Sequence, residues 1–267
     1  MMKFISLGSG SSGNSYYLAS ESTAILIDAG IGVRTLKRHF KTFGLSLESL
    51  SAVFITHDHS DHIKSVGNLA NEYHRLIYAT EPVHGGINRN YCVSPKLTAE
   101  HVRYVEKGKS VQIGDLCITP FEVPHDSSDC VGYRVVHDGV TFCLITDVGH
   151  ITPELEEKVG QANYLVLEAN HDEDMLMMGP YPAYLKERIR SGRGHLSNKE
   201  SARLLAEHAT PALRHAWLCH LSEENNHPEL ARKTVETVLR GYGIACGTDF
   251  IVDILKRKVP SEVFELT

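Results

Sequence analysis

Three imidazoles and two carboxylates stand within six positions in His57-Asp58-His59-Ser60-Asp61-His62. Groups of this kind are costly to gather in an interior unless water or a cation satisfies them. The spacing H-x-H-x-D-H favours a metal ion. The motif follows the apolar run Ala52-Val53-Phe54-Ile55, which reads as a buried strand. Side chains alternate along the extended chain that leaves such a strand, so His57 and His59 point the same way and can reach one ion. Asp61 and His62 are adjacent and can open a helix from Ile63 onward, projecting toward a second ion beside the first. The plain alternative is a solvated loop in a chain with 16 histidines, but four specified positions at the exit of a buried strand seldom arise idly.

The elements that must position these groups can be read from the same pattern. Apolar runs at Ala24–Ile27, Ala52–Ile55, Phe142–Ile145, Tyr164–Leu167 and Ala216–Cys219 each deliver an Asp, His or Glu within two residues of their carboxyl end. Polar groups gathered at one end of a sheet make a site on a rigid scaffold. Between the runs lie helical segments: Val33 to Phe43, the stretch after the histidine loop to about Tyr73, Thr152-Pro153 to Val159, Pro182 to Arg190, Ser197 to His208 with a Ser197/Glu200 capping box, and a helix opening at Pro228. Gly85-Gly86 to Pro95 reads as irregular, and Phe250 to Leu255 as the last strand. A strand-rich region followed by alternating helices and strands, twice over, predicts two sheets packed face to face with helices outside, an αββα sandwich in the α/β class. No linker interrupts residues 1–267, so one domain is expected.

Charged residues at 22% and hydrophobic residues at 42% describe an ordinary globular chain, and a formal net charge of −6 argues against coating nucleic acid through bulk electrostatics. A local site gripping phosphate through metal ions stays compatible with that charge. The N-terminus lacks a secretory apolar region and no run approaches a membrane span, which places the chain in the cytoplasm without membrane contact. Six cysteines without C-x-x-C spacing read as reduced packing residues. No obligate protein partner can be read from the sequence. The stretch Gly8-Ser9-Gly10-Ser11-Ser12-Gly13-Asn14-Ser15 is either a loose hairpin loop or a nest of backbone N–H groups able to face an anion.

H-x-H-x-D-H resembles the motif of the metallo-β-lactamase superfamily of metallohydrolases. That resemblance implies a two-metal site, which needs ligands for ions about 3.5 to 4 Å apart, one bridging carboxylate and a metal-bridging hydroxide as nucleophile. In the order the superfamily uses, His57, His59 and His125 would bind the first metal, Asp61, His62 and His220 the second, and Asp147 would bridge. Asp28 would sit behind the histidine loop and accept its backbone N–H groups, an orienting role. His125 or His220 alone would read as a core or rim histidine; beside the loop they read as ligands. An all-imidazole and carboxylate site suits Zn²⁺, Mn²⁺ or Fe and does not choose among them.

The segments Leu167-Glu168-Ala169, Gly194-His195-Leu196-Ser197 and Cys219-His220-Leu221-Ser222 are similar to motifs of the tRNA-processing ribonuclease Z branch. Closer still, S-x-G-S-S-G-N-S, H-D-H-S-D-H, V-P-H-D, L-E-A-N-H-D, G-H-L-S-N and H-L-S-x-x-N-N together resemble the YycJ (WalJ) family across nearly the whole chain. That resemblance implies a 5′ to 3′ DNA exonuclease, with DNA as the expected nucleic-acid substrate and catalysis by Asp61 and by a His195–Glu168 general-acid pair. Only 73 positions separate Asp147 from His220, which leaves no room for an inserted clamp domain, and Met178-Gly179-Pro180-Tyr181-Pro182 is too short for a tRNA-gripping arm. Substrate is then expected at the rim, with Ser11, Ser12, Asn14, Asn170, His171 and Asn225 as candidates. An RNA-processing nuclease is a second reading. A thioesterase or lactone hydrolase of the glyoxalase II kind fits the metal motif but leaves Glu168 and His195 without a role, and a non-catalytic metal-binding module fits only a closed site.

Overall fold

A computed structural model describes residues Met1–Thr267. Six strands fall in the first half of the chain and form one sheet: β1 (Met2–Gly8), β2 (Ser15–Ala19), β3 (Ala24–Ile27), β4 (Ala52–Phe54), β5 (Ile77–Ala79) and β6 (Val102–Tyr104). A second sheet is built from β7 (Val111–Ile113), β8 (Leu116–Glu122), β9 (Val131–His137), β10 (Val140–Ile145), β11 (Tyr164–Glu168), β12 (His215–Cys219) and β13 (Ile251–Ile254). The last strand, β14 (Phe264–Leu266), returns to the first sheet and pairs antiparallel with β1. The spatial orders β14-β1-β2-β3-β4-β5-β6 and β13-β12-β11-β10-β9-β8-β7 give each sheet a parallel part. Those parts run β3 to β6 in the first sheet and β10 to β13 in the second.

Alternation along the central strands explains why they read as unbroken apolar runs. On β10, Phe142 and Leu144 face the other sheet while Cys143 and Ile145 face the helices; on β12, Trp217 and Cys219 face inward while Ala216 and Leu218 face out. Strands buried on both faces need apolar residues at every position. Three clusters of 25, 22 and 22 buried residues result, one between the sheets and one under each helical layer, so the molecule has the expected four layers, αββα. The helices over the first sheet are α1 (Val33–Thr42), the short α2 (Ser60–Ile63), α3 (Val66–Asn71) and α4 (Glu81–Arg89). Those over or beside the second are α5 (Pro153–Gln161), α6 (Glu173–Met178), α7 (Ala183–Arg190), α8 (Asn198–His208) and α9 (Pro228–Gly241). None is long and apolar enough to cross a membrane.

Three local differences from the sequence reading bear on the site. The helix expected to run unbroken after the histidine loop is split into α2 and α3, because the Ser65 N–H bonds to the Ala29 carbonyl at 2.8 Å and the Ser65 hydroxyl donates to the Ile31 carbonyl. The stretch that reads as irregular opens within α4; Gly86 is there for close approach, since a Cβ on it would lie 1.7 Å from Asp58 Oδ2. The segment ahead of α7 holds the additional helix α6, capped by Asp172, whose Oδ1 accepts from Asp174 and Met175 N–H at 3.1 and 3.0 Å.

Candidate active site

Asp28, Asp147 and His220 lie just past the carboxyl ends of β3, β10 and β12, and all three adopt left-handed backbone conformations, with φ of 61°, 56° and 54°. Such conformations are unfavourable for residues other than glycine and persist where the surroundings over-determine them. Here they do: the Asp28 N–H donates to the Phe54 carbonyl at 2.8 Å, and the His220 N–H donates to Ser9 Oγ at 2.9 Å. The turned backbone aims all three side chains across the end of the sandwich. The histidine loop meets them because the Asn14 N–H reaches the Asp61 carbonyl and the Ala29 N–H reaches the His62 carbonyl, at 2.8 and 2.7 Å. A Cβ on Gly30 would lie 1.6 Å from that same Asp61 oxygen, so only glycine fits there.

His57, His59 and His125 form a compact trio, with His59 Nδ1 at 3.2 Å from His57 Nε2 and 3.3 Å from His125 Nε2. His57 and His125 give their other ring protons to Thr56 Oγ1 at 3.0 Å and the Gly194 carbonyl at 3.0 Å. Each Nε2 therefore presents a lone pair toward His59, which has one proton at most to offer at Nδ1. Lone pairs this close are stable around a cation, and the trio's ligand atoms all lie within 4.8 Å of one another. A second group, Asp61, His62 and His220, meets the same limit. His220 Nε2 is 3.4 Å from Asp61 Oδ2, and His62 Nε2 is 3.7 Å from it. Asp147 lies between the groups: Oδ1 is 3.8 Å from His125 Nε2 and 3.6 Å from His220 Nε2, and Oδ2 is 3.3 Å from His62 Nε2. The donor set fits divalent metal ions.

Asp28 is buried behind this arrangement. Its Oδ1 accepts the Thr56 N–H at 2.8 Å, and its Oδ2 accepts from the Thr56 hydroxyl at 2.9 Å and from His62 Nδ1 at 2.8 Å. It therefore holds one backbone N–H of the loop, together with a ligand ring. Fixing Nδ1 leaves Nε2 of His62 to face the site. Burial works against a charge on His62, yet Asp28, Asp147 and Asp61 outweigh it and raise its pKa well above the ordinary range. His57 is pushed the other way, by burial first and the neighbouring His62 second. The carboxylates thus demand positive charge in the pocket while His57 stays a neutral donor.

Glu168 ends β11 and is fully buried. Its Oε2 accepts N–H groups of Val148 and Leu196 at 2.8 and 3.1 Å, and its Oε1 lies 2.7 Å from His195 Nδ1 and 3.3 Å from His220 Nδ1. Burial opposes its ionisation, but His195 and His220 hold it down at about 2. His195 is raised: burial acts against it, and Glu168 and Asp147 prevail. The His195 ring stacks on His220 with centroids 5.3 Å apart and lines a cleft of about 450 Å³ with His171, Glu173, Met177 and Arg190.

Residues 23–220 match the family described as the Beta-lactamase superfamily domain. The chain is 33% identical over 262 residues to exodeoxyribonuclease YycJ of Bacillus anthracis, covering 98% of both. It is 37% identical over 251 residues to exodeoxyribonuclease WalJ of Streptococcus pneumoniae, covering 94% of this chain and 93% of that one. The chain belongs to the metallo-β-lactamase superfamily, in its YycJ/WalJ family. The fold agrees: the metallo-β-lactamase fold protein YhfI of Bacillus subtilis superposes with a TM-score of 0.73 at 20% identity, over 99% of this chain and all of that one. A metal-dependent hydrolase is what the family and the His/Asp clusters together establish.

Within this metallo-β-lactamase site the rim expectations divide. Ser11 and Ser12 are exposed on the Gly/Ser loop, and His171 lines the cleft beside His195. Asn14, Asn170 and Asn225 are buried and do not line that cleft, and the side chains of the first two support backbone. Asn14 bonds Gly10 through both amide ends at 2.9 and 3.1 Å and touches His62 Nε2 at 2.9 Å. Asn170 Nδ2 donates to the His220 carbonyl at 3.0 Å; Asn225 is held by its main chain, whose carbonyl accepts the Asp172 N–H at 2.9 Å, while its side-chain Oδ1 is buried without a partner. The sequence reading passed over Asp58 and Asp126. Asp58, the middle residue of H-D-H, accepts from the Ser128 N–H and hydroxyl at 3.1 and 2.6 Å, tying the histidine loop to the loop that carries His125. Asp126 pairs with Arg188 of α7 at 2.5 and 3.0 Å and sits 3.4 Å from His125 Nε2. Both stood in the motifs already quoted, where a second carboxylate beside a ligand was the available signal.

Proposed function

We propose that the chain is an exonuclease acting on DNA in the 5′ to 3′ direction, with two divalent metal ions, Zn²⁺ or Mn²⁺ and Fe compatible, in the assigned sites. His57, His59 and His125 would hold one ion and Asp61, His62 and His220 the other, with Asp147 shared between them. Bound there, the ions would act as Lewis acids on the phosphate and lower the pKa of bound water. The observation that carries the reading is the Glu168–His195 contact of 2.7 Å beside Asp147. Hydrolysis of an activated or thiol ester needs no proton donor for the departing group, whereas expulsion of a nucleotide alkoxide gains typically 10²- to 10⁴-fold from one. Glu168 accepts the Nδ1 proton of His195, keeps the ring cationic, and leaves its other nitrogen to donate to the leaving oxygen. Asp61 serves as ligand and as a carboxylate facing the reacting phosphate. Relatives named exodeoxyribonucleases support DNA as the substrate. The six free cysteines suit the reducing cytoplasm as the place of action.

Duplexes labelled at one end and blocked at the other test this directly. Label released as mononucleotide from an open 5′ end, with a blocked 5′ end resistant, is the expected result. Preferential cleavage of structured RNA would move the site to RNA processing, and turnover of thioesters or lactones alone would overturn the nuclease reading.

A further inference from the structure

α6, α7 and the turn between them project from the rim of the site. Of ten exposed large hydrophobic side chains in the molecule, three lie here within eight positions: Met177 at 53%, Met178 at 81% and Tyr184 at 73% exposure. Exposed apolar groups in such density mark a contact surface. Cations follow at once. From Tyr184 to Arg193 the chain places Lys186, Arg188, Arg190 and Arg193 beside Glu187, while Glu173 and Asp174 of α6 line the cleft itself. Arg188 is committed to Asp126, but Arg190 and Arg193 have no carboxylate partner, and Arg190 reaches only Met177 Sδ at 3.4 Å.

The projection is continuous with the chemistry. Arg190 and Met177 line the same cleft as His195, and the His195 N–H is fixed to the Ile189 carbonyl of α7 at 2.9 Å. A Cβ on Gly149, which also lines that cleft, would lie 2.4 Å from the Arg193 Cα, so the cleft wall and the cationic turn are in direct contact. We infer that this projection is a platform for the unpaired strand that enters the cleft beside His195, Tyr184 stacking on a base and Arg190 and Arg193 tracking phosphates. The inference rests on the nuclease reading and extends it to a strand-separated substrate. An exposed ring on the helix that also carries cations suits single-stranded nucleic acid, because every base has a π-face and every nucleotide a phosphate.

The test is the binding of a cleavage-resistant phosphorothioate single strand to the metal-loaded protein across a salt series, once degradation of the unmodified strand has been established. Tyr184→Ala should weaken binding about tenfold and Tyr184→Trp should restore it. Arg190→Ala with Arg193→Ala should flatten the slope of log affinity against log salt by about 1.4, near 0.7 for each cation removed. Melting temperature and metal content should match the parent protein. DNA cleavage with unchanged affinity and slope in these variants would overturn the platform and leave the nuclease reading standing. No cleavage of any nucleic acid would overturn both. A concentration-dependent dimer that Tyr184→Ala splits would assign the surface to a second copy of the chain and also overturn the platform.

Discussion

One carboxylate oxygen, Oε1 of Glu168, stands 2.7 Å from Nδ1 of His195 and 3.3 Å from Nδ1 of His220, so a single buried group orients both the proposed proton donor and a proposed metal ligand. Glu168→Gln keeps the shape and removes the charge. It should lower kcat on DNA by about 10²-fold or more and weaken metal binding roughly 10- to 100-fold. Steady-state kinetics with metal in excess, beside a metal titration, separate the two effects. A variant altered in neither would place Glu168 outside the site's function.

Asp58 carries no metal in this account, yet it joins the two loops that supply the His57–His59–His125 trio. Asp58→Ala should weaken one of the two bound metals about 10-fold or more while the other stays tight. Stepwise metal titration by calorimetry reads this. Equal weakening of both sites would mean that Asp58 supports the fold at large.

Gly86→Ala places a methyl group where Asp58 Oδ2 now lies, and Gly30→Ala places one against the Asp61 carbonyl, at separations of 1.7 and 1.6 Å. Neither neighbour can move without displacing the histidine loop. Both substitutions should cost about 1 to 3 kcal/mol of stability, as overpacking typically does, and should lower metal content. Gly32→Ala meets nothing within 4 Å and should be tolerated. Melting curves of the three proteins decide this.

Chelation should lower the melting temperature, and Zn²⁺ or Mn²⁺ should restore it, because the ions bind the folded carboxylate and imidazole cluster and not the unfolded chain. In metal-loaded protein near two equivalents are expected, and Asp147→Ala should lose at least one. A stoichiometry of one in fully active protein would contradict the dinuclear assignment.

Much of this was legible in the sequence, because parallel strands buried on both faces announce themselves as short apolar runs and the polar residue that follows each run marks the site end of the sheets. That pattern singles out Asp28, His57, Asp147, Glu168 and His220, and the fold gathers them at one end of the sheets. Failures came where tertiary contact overrode local propensity. Gly85 and Gly86 weaken a helix intrinsically, but α4 forms because Gly86 must approach Asp58. Phe264-Glu265-Leu266 is too short to signal a strand and becomes one by pairing with β1. Asn14, Asn170 and Asn225 look like solvent-facing turn residues, but contacts such as Asn14 with His62 and Asn170 with His220 join them to segments that no sequence window contains.

Cleavage by His195→Ala of two phosphodiesters with opposite needs for a proton separates a proton donor from the other roles His195 could have. Nitrophenolate leaves bis-p-nitrophenyl phosphate as a stable anion, whereas a nucleotide leaves DNA as an alkoxide that gains from protonation. The expected result is a loss of about 10²- to 10⁴-fold on DNA, near-parental turnover of the nitrophenyl ester, and metal content unchanged. Equal losses on both substrates would contradict it and assign His195 to phosphate binding or metal support.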